Sequence, residues 1–150
     1  MPAVSSAAPA PQSGGKIILK FPEGIYGFED VREFILLQED ESRVIWSLQA
    51  AEKPCPSLIV VDPFLVAPGY SPKVPAGDLR ALGGPAGGGP LGGLCFLAVA
   101  VLRRNFAETV VNLKSPIVIN PRTRTGRQVI LEDSDYPVRY RPFRDARQRG

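Results

Sequence analysis

A mainly β single domain, built as a small antiparallel β-barrel or sandwich with at most one or two short helices, is the fold this sequence predicts. Three observations carry that expectation. Apolar stretches of strand length recur along the chain, separated at short intervals by turn-forming residues. Several of them alternate apolar and polar positions, the period of a half-buried strand. A chain of 150 residues with 44% hydrophobic residues has the size and composition of one globular domain.

The elements follow in order. Residues 1–15, rich in Ala, Pro and Ser, offer too little apolar area to fold and are expected to form a flexible tail. Lys16 to Phe21 places Ile17, Leu19 and Phe21 on one face. Glu33 to Gln38, Val44 to Leu48 and Leu58 to Asp62 continue the series. The charged turn Glu39-Asp40-Glu41-Ser42 joins the middle pair as a hairpin. Residues 65–93 are loop-like, with one helical candidate at Ala76 to Leu82, where Asp78 can support the first turn. Strands resume at Leu94 to Arg103, Glu108 to Asn112, Ile117 to Asn120, Arg127 to Leu131 and Val138 to Arg141. The domain is thus expected to span 16–143, with a Gly/Pro-rich loop at 83–93 and a basic tail at 144–150.

Composition removes several function classes. No apolar run approaches the roughly 18 residues of a membrane span, and the N-terminus lacks the basic and apolar regions of a secretory signal. The chain has no histidine, which removes Ser/His and Cys/His nucleophile pairs and the commonest metal ligand. Cys55 and Cys95 are two unrelated thiols, expected to be reduced in a cytoplasmic protein. Gly87 to Gly92 fits the G-x-G-x-x-G expression of dinucleotide sites. That chemistry needs a strand before the glycines and a helix after them. Here Pro90 removes a donor and a strand follows, so the segment is a linker. No enzyme, cofactor or metal site is expected.

The charge is uneven. Between residues 23 and 62 nine acidic residues face three basic ones, whereas from 103 onward eleven basic residues face five acidic ones. Such a distribution steers charged partners. Glu39, Asp40 and Glu41 are candidates for an electrostatic contact.

The stretch from Val111 to Asn120 is the most informative. Pro116 can open a strand, Ile117-Val118-Ile119 is too apolar for a single wetted face, and Asn120-Pro121 ends it with a turn. With Arg127 onward it makes a hairpin bearing Arg122, Arg124 and Arg127. A strand opened by one proline and closed before another is typical of a sheet edge, where donors stay available to another chain. The alternative partner is nucleic acid: a small β-barrel could bind it through Tyr136, Tyr140 and Phe143 interleaved with Arg139, Arg141 and Arg144. The spacing gives no recognised RNA-binding signature.

Three blocks together resemble the FliW flagellar assembly factors. Phe21-Pro22-Glu23-Gly24-Ile25-Tyr26-Gly27-Phe28-Glu29 is similar to that family's N-terminal signature, Ser47 to Pro54 to its second block, and Asn112 to Asn120 to its third, with Gly126-Arg127-Gln128 trailing. The family usually has Leu-Pro where this chain has Ile25-Tyr26, and Ser at Ala50. The resemblance implies two partners, flagellin before export and the RNA-binding regulator CsrA. It also implies partner switching, in which flagellin occupies the protein until export frees it to capture CsrA and relieve repression of flagellin translation. By position in the motifs, Phe28, Gln49, Asn112, Leu113, Lys114, Pro116, Ile117 and Asn120 become candidate partner-binding residues, with Arg127 beside them. No direct contact with nucleic acid or membrane is expected.

Overall fold

The computed structural model describes residues 16–39, 41, 44–52, 56–85, 87–88 and 91–144. The segment 1–15, Asp40, Cys55 and residues 145–150 lie outside the described residues. Eight strands are present among them: β1 Lys16–Lys20, β2 Glu33–Gln38, β3 Ile45–Ala50, β4 Ser57–Val61, β5 Cys95–Val101, β6 Val110–Val111, β7 Ile117–Asn120 and β8 Thr125–Gln128. Two short helices, α1 (Pro63–Val66) and α2 (Ala76–Ala81), lie between β4 and β5.

The sheet runs β4-β3-β2-β1-β8-β7-β5, and the additional β4–β5 pairing closes it. It is a barrel, not a sandwich. Every pairing is antiparallel except β1–β8, which meets in parallel at the single register pair Lys20↔Thr125. β6 lies beside β5 next to β7.

Alternation in the sequence becomes inside and outside. Ile17, Leu19 and Phe21 share one buried cluster with Phe34, Leu36, Trp46, Leu48, Val60, Leu97, Ile117 and Ile119, which fills the barrel. Phe21 and Phe34 meet edge-on with ring centroids 5.3 Å apart. Each side chain of this size stabilises the fold by about 1.5–3 kcal/mol when fully buried. The intervening residues of β1 face outward, and Ile18 is about half exposed.

β5 and β7 do not alternate because both of their faces are covered. Their outer face joins a second cluster of Phe96, Ala98, Val118, Val66, Tyr70 and Leu82, on which Tyr136, Tyr140 and Phe143 also pack. Continuous apolar runs are the expected signature of strands buried on two sides. The short helix α1 was not expected, although Asp62-Pro63 announces it. Asp62 is its N-cap, with a carboxylate accepting from the Phe64 N–H at 2.9 Å, and Pro63 opens its first turn.

Two expectations about the hairpin are corrected. β7 is not an edge strand: it is paired to β5 on one side and β8 on the other, and all four of its residues are buried. The barrel closes around it, so its donors serve the ladder. The second strand of the hairpin begins at Thr125, two residues before the expected Arg127, because the turn is only Pro121 to Arg124. Arg124 takes a positive φ of 57° and donates its N–H to the Asn120 carbonyl at 2.8 Å. Beyond Gln128 the strands stay in register, with Val129 N–H on the Pro116 carbonyl and Leu131 N–H on the Lys114 carbonyl, both 2.9 Å. Pro116 has no N–H to return, so the two-way ladder stops there. The expected strand at Val138 to Arg141 reduces to one bridge, Tyr140 to Val111.

Candidate functional site: a bulged strand beside an open cleft

β6 and β7 are one strand interrupted. Both run antiparallel to β5, with Val111 opposite Ala100 and Ile117 opposite Leu97. Residues 112–116 therefore bulge out opposite only Ala98 and Val99. A bulge forfeits ladder partners, and its backbone groups must find others. Here they do. Asn112 N–H reaches the Val99 carbonyl, and Leu113 and Lys114 N–H both reach the Pro137 carbonyl. Ser115 N–H is capped by the Asn112 side-chain oxygen at 3.0 Å, three residues back, a local side-chain cap that explains why asparagine opens the segment. The Leu113 carbonyl accepts from the Tyr70 hydroxyl at 2.7 Å, and the Ser115 carbonyl from Gln128 Nε2 at 3.1 Å. Burial holds the Tyr70 hydroxyl well above the usual phenol range, so it stays protonated as this donor.

Side chains then tie the bulge to distant parts of the chain. Lys114 Nζ donates to the Ser134 carbonyl at 2.6 Å. Gln128 Oε1 accepts from the Tyr26 N–H at 3.0 Å. Arg127 is clamped between Asp78 (2.6 Å) and Glu23 (3.1 Å), and these carboxylates, Asp78 first, push its pKa up. Asn120, fully buried, donates to the Leu82 carbonyl at 2.8 Å and accepts from the Arg122 N–H at 3.0 Å, fixing both the α2 exit and its own turn.

An open cleft of about 820 Å³ lies beside this network, walled by Tyr26, Val74, Asp78, Ile130 and Tyr136. Its rim carries Glu132, Asp133 and Asp135 against Lys73. Tyr26 and Ile130 are exposed there, while Tyr136 is held by an edge-on contact with Tyr70 at 4.6 Å and by the Ser71 N–H on its hydroxyl. The geometry suits an apolar side chain flanked by cationic ones. Sequence reading singled out neither Tyr26 nor Asp78 for this region, since nothing local to either announces a partner some fifty to a hundred residues away.

The candidate residues divide by place. Asn112, Lys114 and Arg127 are half-buried around the bulge and its clamp; Leu113, Pro116, Ile117 and Asn120 are buried. Phe28 is half-buried in the tight Ile25–Phe28 turn. Gln49 stands apart on the outer face of β3, opposite Ile35 and Ser57. Glu39 accepts from the Ser47 hydroxyl at 2.7 Å at the β2–β3 tip, and Glu41 is exposed. Cys95 is buried, and burial pushes its thiol up to about 11, which keeps it an unreactive apolar side chain. Among the described residues no group of three His, Cys, Asp or Glu is placed to hold a metal.

Comparison with known proteins points to the same family. The family described as FliW protein matches residues 11–142. A flagellar assembly factor FliW from Symbiobacterium thermophilum is 35% identical over 130 residues, 86% of this chain and 91% of that protein. One from Thermotoga neapolitana is 39% identical over 123 residues, 82% of this chain and 80% of that protein. A crystal structure of the flagellar assembly factor FliW superposes with a TM-score of 0.74 at 30% identity, covering 84% of this chain and 85% of that one. The chain belongs to the FliW family of flagellar assembly factors.

Proposed function

We propose that this protein acts by binding alone, taking flagellin and a CsrA-type RNA-binding regulator in alternation in the cytoplasm. Flagellin bound before export keeps the protein from the regulator; export frees it to capture the regulator, which relieves repression of flagellin translation. The observation that supports this best is convergence. Glu23 and Tyr26 from the first sequence block, the bulge from the third, and the trailing Arg127 and Gln128 are bonded to one another around one cleft. A network that fixes loops and leaves an open concavity suits recognition of a partner segment. The acidic rim further suits a basic partner such as an RNA-binding protein.

Calorimetric titration of the protein with each purified partner tests the reading, followed by titration of the regulator into the preformed flagellin complex. Binding of each alone, with loss of regulator binding in the flagellin complex, is expected. Failure of both partners to bind, or simultaneous binding of both at full affinity, would remove the switch.

The nucleic-acid reading gains nothing from the aromatic residues that suggested it. Tyr136, Tyr140 and Phe143 all pack on the outer cluster, Tyr136 edge-on to Tyr70 and Phe143 stacked on Phe106.

A further inference from the structure

The end of the barrel opposite in charge to the cleft rim presents a different surface. Residues 101–106, Val-Leu-Arg-Arg-Asn-Phe, link β5 to the 3₁₀ turn at Phe106–Glu108, and all six are exposed. Val101, Leu102 and Phe106 are 48%, 42% and 49% exposed. The C-terminal segment lies against this loop. Tyr140 bridges to Val111, the Arg141 guanidinium donates to the Ala107 carbonyl at 3.2 Å, and Phe143 stacks on Phe106 at 4.2 Å. These contacts lay the segment that carries Arg139, Arg141 and Arg144, all exposed, against the turn that follows the exposed Arg103 and Arg104. In 101–111 and 137–144 together, five arginines face one acidic residue, Glu108.

We infer that this loop and the C-terminal segment form a docking surface for an anionic phospholipid membrane. The inference is independent of the two-partner function. Arginines supply attraction to lipid phosphates, and the apolar side chains projecting between them have a place to go in the acyl boundary. Two other occupants fit less well. Single-stranded RNA would use the arginines but has no use for Val101 and Leu102, and one face of Phe106 is already covered by Phe143. A protein segment of acidic, amphipathic character would be held in a groove, whereas Leu102 to Asn105 are exposed and lie outside any strand or helix. The earlier expectation of no membrane partner rested on the lack of a spanning segment, which bears on crossing and not on surface contact.

The test is sedimentation of the full chain with vesicles of phosphatidylcholine alone and with roughly one-third phosphatidylglycerol, at low and high salt. Two variants accompany it: Arg103→Glu with Arg104→Glu, and Leu102→Ser. Their side chains are exposed, and an unchanged melting temperature verifies the fold. Binding only to the anionic vesicles, weakened by salt, is expected; at roughly fivefold per arginine lost from the surface, the double variant should lose at least tenfold in partition. Leu102→Ser should lose binding without changing its salt dependence. Equal partition into both vesicles, or an unaffected double variant, overturns the inference. So does an absence of sedimentation, whether or not a labelled oligo(U) binds; oligo(U) binding lost in the double variant would identify the patch as a nucleic-acid surface instead.

Discussion

The ring of Phe21 occupies the space that a side chain on Gly126 would need: a Cβ built there would lie 2.5 Å from the ring edge. Phe21 is fully buried in the barrel, and Gly126 pairs with Ile119 in the β7–β8 ladder. The glycine of the trailing block is thus the space left for the phenylalanine of the first. Gly126→Ala should destabilise the fold by about 1–3 kcal/mol through overpacking. Adding Phe21→Leu should recover part of that loss relative to the sum of the two single changes. Urea denaturation of the three variants measures it. Additive losses would show that the barrel yields around the added methyl.

Gln128 bridges the first and third blocks through one amide. Replacing it with Ala removes two hydrogen bonds, to the Tyr26 N–H and the Ser115 carbonyl, at about 0.5–1.5 kcal/mol each. Faster hydrogen exchange at the Tyr26 amide should accompany a global loss of about 1–3 kcal/mol. If the cleft holds the partner, affinity should fall tenfold or more, because Tyr26 forms one wall. Exchange at Tyr26 equal to that of the parent would mean that the loop stands without this bridge.

Lys114 looks like an ordinary surface lysine in sequence, yet its ammonium is spent on the Ser134 carbonyl. A surface exchange shifts stability by about ±0.5 kcal/mol. Lys114→Glu should cost more, about 1–2 kcal/mol, because it removes a charged donor and turns a carboxylate toward a carbonyl. Lys114→Gln, which keeps a donor, should fall between the two. Thermal melts of both variants separate the anchor from a purely partner-facing role, and titration with flagellin or regulator then reads binding apart from folding.

What was legible in sequence is what local chemistry writes there. Alternation placed Ile17, Leu19 and Phe21 inside, and the apolar run Ile117-Val118-Ile119 marked a strand without a wetted face. The bulge was not legible, since it exists only as a register change against β5. For the same reason Pro116 suggested an edge: its missing N–H faces the bulge junction, not solvent. Asn120 was legible as the residue that ends the strand in a turn, but its partner at Leu82, remote in sequence, was not. The cleft is assembled from loops whose own residues carry no shared period, so sequence pattern could not find it.

Asp62 gives a prediction whose sign is set by burial. Asp62 is 1% exposed, and burial pushes its pKa up from 3.8 to about 6 against two helix N–H groups that pull it down. A folded-state pKa above the unfolded one means that folding favours the protonated acid. The contribution is therefore fully present below about pH 4 and is lost as pH rises through about 6. Asn caps a helix about as well as Asp and carries no charge to desolvate. Asp62→Asn should therefore match the parent near pH 4 and exceed it near pH 8 by about 2–3 kcal/mol, the value of a two-unit shift. The thiol of Cys95, itself raised partly by the Asp62 charge, should become easier to ionise in the same variant. Denaturant melts at the two pH values decide the matter. A constant difference across that range would show that the Asp62 carboxyl keeps its unfolded-state pKa in the folded protein, and that α1 needs only a cap there, charged or not.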